Sequence, residues 1–122
     1  MEANRQTPVV FLKGIDQVIR RDLGKHKELL AQTVAERDAF RAAVKHESAR
    51  KRHYYRQIGK GKFSDDALLR SVKDIRINIR HLSDKVKLSE EKIDHHTMIV
   101  ETLTVQLKEY DEAYAARNRQ LQ

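Results

Sequence analysis

LLRSVKDIRINIRHLSDKVKLSEEKIDHHTMIVETLTVQLKEYDEAY, residues 68–114, decides the fold. Its seam steps by four and three without a break: Leu68, Val72, Ile75, Ile79, Leu82, Val86, Ser89, Ile93, His96, Val100, Leu103, Leu107, Tyr110 and Tyr114. Only Ser89 and His96 interrupt the apolar rule. A 4-3 step keeps one stripe of a helix facing one partner helix.

Working outward, the first half of the chain supplies that partner. Gly59-Lys60-Gly61-Lys62-Phe63-Ser64 reads as a turn. A chain folding back there pairs Leu68 with Tyr54, Ile79 with Val44, Leu82 with Phe40 and Ile93 with Leu30, and further out Tyr110 with Leu12. The polar interruptions meet as well: Ser89 falls opposite Thr33 and His96 opposite His26. Polar matched to polar is the stronger sign, because a buried polar group without a partner costs free energy. Near the turn the match is looser. There Val72, Ile75 and Val86 face Lys51, Glu47 and Arg37, whose methylenes must cover the seam while their charges reach water.

Local chemistry sets the boundaries. Gly59 follows the last periodic residue of the first run and suits a left-handed position beyond a helix end. Ser64 suits an N-cap, Asp65 and Asp66 favour the positive end of the helix dipole, and Phe63 with Leu68 suits a hydrophobic staple. Thr7-Pro8 reads as the start of the first helix. The reading is an all-α fold: a long antiparallel two-helix coiled-coil hairpin, open to pairing with further helices of a partner or a second copy. Residues 1–7 form a flexible N-terminus and 8–122 a single domain, with helix one over about 8–58, a turn at 59–64 and helix two over about 65–119. Gly14 and Gly24 flank a stutter at Ile15, Ile19 and Leu23, and read mainly as tolerated helix glycines. A parallel homodimer of separate helices is the alternative, since Val72, Ile79, Val86, Ile93 and Val100 alternate with Leu68, Leu82 and Leu103 in the dimer pattern.

Composition agrees with a seam rather than a broad core. Charged residues make up 35% and aromatic residues 6%, with no Trp. The lack of Cys excludes disulfides and thiolate chemistry and suits a reducing compartment. No apolar run approaches the roughly 20 residues of a transmembrane helix, and residues 1–6 lack the apolar core of a signal peptide. An intracellular, cytoplasmic or cytoskeletal setting is therefore expected, with the nucleus as an alternative.

Charge is concentrated. The chain carries a formal +7. Residues 41–63 hold Arg41, Lys45, Arg50, Lys51, Arg52, Arg56, Lys60 and Lys62 against the single acid Glu47, which equals the whole excess. Such a patch suits an acidic protein surface, or nucleic acid with Tyr54 and Tyr55 interleaved. The plainer reading is a solvated face whose cations pair with Asp65, Asp66 and Asp74.

Other chemistry has little support. His26 and His96 could give a metal two ligands, but zinc needs three or four, and His95 points about 100° away on the helix. The pair suits a polar core layer, shared with Thr33 and Ser89, that fixes register. Gly59-Lys60-Gly61-Lys62 lacks the length and the Ser/Thr of a phosphate loop. A two-helix hairpin offers no enclosed pocket for catalytic groups. No enzyme activity, cofactor or metal is expected.

Ile77, Leu88, Met98, Ile99 and Val105 lie off the seam, with Ile77, Leu88 and Ile99 spaced by eleven. They form a second apolar stripe for a partner. The function expected is a non-enzymatic scaffold or adaptor subunit of a protein assembly, docking through helix faces and a basic tip. The partner is a protein, helical or acidic, in a homo- or hetero-oligomer; the alternative is a nucleic-acid-binding hairpin using the same tip.

Overall fold

In a computed structural model, the structure describes residues 14–121. Two helices fill them: α1, Ile15–Gln57, and α2, Asp65–Leu121, of 43 and 57 residues. They pack against each other as an all-α hairpin. The two helices of one chain therefore pair with each other. The start expected at Thr7-Pro8, the flexible residues 1–7 and the Leu12–Tyr110 pair lie outside the described residues.

The two glycines expected inside the first helix differ from each other. Gly14 has φ +83°, which no α-helical residue adopts, so α1 begins directly after it. Gly14 thus stands outside α1, whereas Gly24 sits inside it with open space where a Cβ would lie.

The turn forms as its residues dictate. Gly59 has φ +83° and Gly61 φ +74°, left-handed conformations that favour glycine. Lys60 N–H donates to the Gln57 carbonyl at 3.2 Å, closing the end of α1. Ser64 Oγ accepts from Ala67 N–H at 3.1 Å, the N-cap bond of α2. Asp65 Oδ1 accepts from Gly59 N–H at 3.0 Å and ties the two helix ends together. Phe63 stays 54% exposed with the Lys62 ammonium 5.7 Å from its ring centre, so the expected staple on Leu68 buries little of it.

Contacts divide the chain into two units. The first runs from Ala31 through the turn to Asp94. Its core is the seam of α2: Leu68, Val72 and Ile75 are buried, Ile75 to 2% exposure, and Ile79, Leu82 and Val86 are half-buried. The facing seam of α1 contributes half-buried Phe40, Val44, Lys51 and Tyr54 and buried Thr33 and Glu47. Thr33 and Ser89, the expected polar match, are both buried. The charged residues set opposite valine and isoleucine behave as their stems require: Arg37 and Lys51 are half-buried, and Arg37 reaches Asp38 at 3.2 Å.

The second unit takes in α1 up to Leu30 and α2 from His95. Leu23 is its buried apolar residue, with Ile15, Ile19, Val100, Leu103, Leu107 and Tyr110 half-buried. Burial raises the Tyr110 phenol above its ordinary value, with the Asp16 carboxylate adding to the effect. Tyr110 and Tyr114 stack at 6.2 Å, and Tyr114, the last seam residue, is 47% exposed. Arg20 donates to Asp111 at 3.3 Å across the hairpin.

Candidate partner-binding surface

The expected polar layer forms in the second unit. His26 Nδ1 and His96 Nδ1 lie 3.1 Å apart, with ring centroids at 5.3 Å. That distance suits a hydrogen bond in which one ring donates and the other accepts. His95 sits beside His96 at 5.4 Å between centroids, on the exposed side of α2. Among the described residues no third His, Cys, Asp or Glu joins a metal-binding group. The contact is the one expected for a polar layer at this register.

The basic residues separate into distinct roles. Arg50 Nη1 donates to Glu47 Oε1 at 2.7 Å, and its guanidinium is held above its ordinary value chiefly by that bond. The same bond holds the Glu47 carboxyl below its usual range, against the upward push of burial. Among the described residues Glu47 Oε2 has no hydrogen-bond partner, so the carboxylate is tolerated chiefly through Arg50, with Asn78 and His46 adding to its effect. Arg41 reaches Glu90 on α2 at 3.0 Å. Among the described residues, Lys45, Lys51, Arg52, Arg56, Lys60 and Lys62 have no carboxylate within ion-pair reach. The acids expected to neutralise them do not: Asp65 serves the turn, and Asp66 and Asp74 make no ion pair.

Helical spacing then assembles a surface that the α1 sequence alone does not show. Arg41, Lys45, Ser48, Arg52 and Tyr55 step by 4-3-4-3, each one residue after a seam position. On α2, Arg76, Arg80, Ser83 and Lys87 step by 4-3-4, again one residue after the seam. Residues at that position lie on one flank of the interface. Contacts bring the two stripes together. Arg76 Nη2 donates to the Tyr55 hydroxyl, and its guanidinium carbon lies 5.9 Å from the ring centre. Arg41, Lys45, Ser83 and Lys87 line a groove of about 420 Å³ with Val44 and Val86 as its floor. The Arg41–Glu90 and Tyr55–Arg76 pairs stand fourteen residues apart on both helices, two whole heptads, so one register holds along the flank.

Arg76, Arg80 and Lys87 were missed in the sequence because Asp66, Asp74 and Asp84 dilute the local charge of α2. Applying the 4-3 step to cations as well as to apolar residues recovers them. On the opposite flank His46, Glu47, Asn78, His81 and Lys85 line a second groove. Lys85 lies 5.5 Å from the Phe40 ring centre.

Of the second apolar stripe, Ile77, Leu88, Met98 and Val105 are exposed, Met98 to 68%, and Ile99 is half-buried. No protein-family model matches the chain, no curated protein matches it and no solved structure matches it. No described helix is long and apolar enough to cross a membrane.

Proposed function

We propose that the chain is a non-enzymatic scaffold or adaptor subunit that docks an acidic protein partner through the cations beside its turn. One observation carries this reading. Six exposed or half-buried cations, Lys45, Lys51, Arg52, Arg56, Lys60 and Lys62, gather with no acid among the described residues spent on them. Like charges brought together oppose compaction, and folding gives no return for them. Arg41 and Arg50 are different, since each already holds an acid of the hairpin. The exposed Ile77, Leu88, Met98 and Val105 add apolar area for assembly, and an intracellular setting suits a chain without cysteine.

The test compares a tagged parent chain with a variant carrying Arg52→Glu, Arg56→Glu and Lys60→Glu, both purified from the native source at low salt. The expected result is a stoichiometric protein partner, lost from the variant and released from the parent as salt rises, with helicity unchanged by circular dichroism. Recovery of the same partner by the variant overturns the reading. So does co-purification of nucleic acid in place of protein.

A further inference from the structure

We propose that the flank formed by Arg41, Lys45, Arg52, Arg76, Arg80 and Lys87 receives an amphipathic acidic helix of the partner, laid along the groove floored by Val44 and Val86. This rests on the adaptor reading and names the partner's chemistry.

Three features of the flank select that occupant. The first is charge. All six cations are exposed, three on each helix, and the flank's one acid in contact with them is Glu90, held by Arg41. A partner segment must therefore bring carboxylates in two rows, one toward each helix. The second is the floor. Val44 and Val86 lie half-buried between the rows, so the space between the cations is aliphatic. Phosphate chemistry needs the rows but not the floor, and a base needs an aromatic platform. The ring on this flank is Tyr55, and Arg76 already covers it. Leucine or isoleucine side chains fit the floor, and their carboxylate neighbours fit the rows. The third is length. Arg41–Glu90 and Tyr55–Arg76 bound a stretch of two heptads, about 21 Å at 1.5 Å per residue. That is about four turns of a third helix, with apolar residues at i, i+3 or i+4, and i+7.

A third helix here turns a two-helix seam into a three-helix layer. It covers Val44 and Val86, which the hairpin leaves partly wet, and spends cations that have no acid of their own.

The probe is a fluorescein-labelled helical peptide of about three heptads, with Leu and Ile at the core positions and Glu at the flanking ones. Its binding to the full chain is read by fluorescence anisotropy at low and physiological salt. The parent is expected to bind it, with affinity falling as salt rises. A flank variant, Lys45→Glu with Arg80→Glu and Lys87→Glu, is expected to lose affinity by about tenfold or more. A remote variant with the same charge change, Lys25→Glu with Lys27→Glu and Lys108→Glu, at exposed positions outside the proposed docking surface, is expected to stay within about threefold of the parent. A Val44→Ser variant, which keeps every charge, is expected to weaken the peptide several-fold.

Four results overturn the groove. They are no binding by the parent at low salt, equal loss in the flank and remote variants, equal binding of a peptide with Ser in place of Leu and Ile, or tighter binding of a single-stranded oligonucleotide that the flank variant loses. If the native partner is still recovered by the flank variant and lost by the variant with Arg52, Arg56 and Lys60 reversed, the groove fails and the adaptor reading stands. If no native protein partner is recovered at all, the adaptor reading fails whatever the peptide does.

Discussion

Ile75→Ala separates residues that hold the hairpin from residues that only face water. Ile75 is 2% exposed, against 45% for Ile77 and 52% for Leu88 on the same helix. The substitution removes three carbons, worth about 0.8 kcal/mol each when fully buried, so the transfer loss is about 2.4 kcal/mol. A cavity between two helices collapses in part, which adds a little and brings the cost to about 3 kcal/mol. Leu88→Ala removes as many carbons from a half-wet site, and its cost is expected within about 0.5 kcal/mol once Ala's better helix propensity is counted. Urea unfolding followed at 222 nm reads both, with the slope checked so that only stability has changed. The reasoning is refuted if Leu88→Ala costs as much as Ile75→Ala, because the second stripe would then be part of the fold and not a surface for a partner.

The other expectations follow from single contacts. Glu47 has a depressed carboxyl, so its contribution is present above its ordinary value of 4.5 and is lost as pH falls through the folded value. The stability gap between parent and Glu47→Gln should therefore be constant above the ordinary value and close as pH falls below it, and a gap that stays constant into acid contradicts the assignment. In the histidine layer, His26→Leu and His96→Leu should each destabilise by stranding a half-buried imidazole. The double variant should regain at least part of the loss, so a strictly additive double-mutant cycle counts against the 3.1 Å bond. Ser64→Ala removes the N-cap of α2 and should cost about 1 kcal/mol, and Gly59→Ala at φ +83° should cost about 1–2 kcal/mol.

The sequence held most of the fold because a two-helix seam has one periodicity and few ways to satisfy it. Every seam position expected on α2 up to Tyr110 is buried or half-buried, and the His26–His96 contact meets the register read from polar matching. Gly59, Ser64 and Asp65 worked as local chemistry within a few residues of each other. What escaped the sequence depended on distance. Arg50 looks like one more tip cation until Glu47 is seen to be buried beside it. Arg76 and Lys87 look like ordinary exposed residues of α2 until the hairpin sets them beside Tyr55 and Lys45. Gly14 looks tolerable in a helix because its φ is not written in its neighbours.

The central claim is that one chain folds back so that cations of α1 and α2 share a flank, and distance measurement tests it most directly. The native chain has no cysteine, so spin labels at Lys45→Cys and Lys87→Cys report only that pair. Double electron–electron resonance should give a single short distance, unchanged when labelled protein is diluted into an excess of unlabelled chain. A distance that vanishes on dilution, or a long one that does not, would show that the two stripes do not meet within one hairpin.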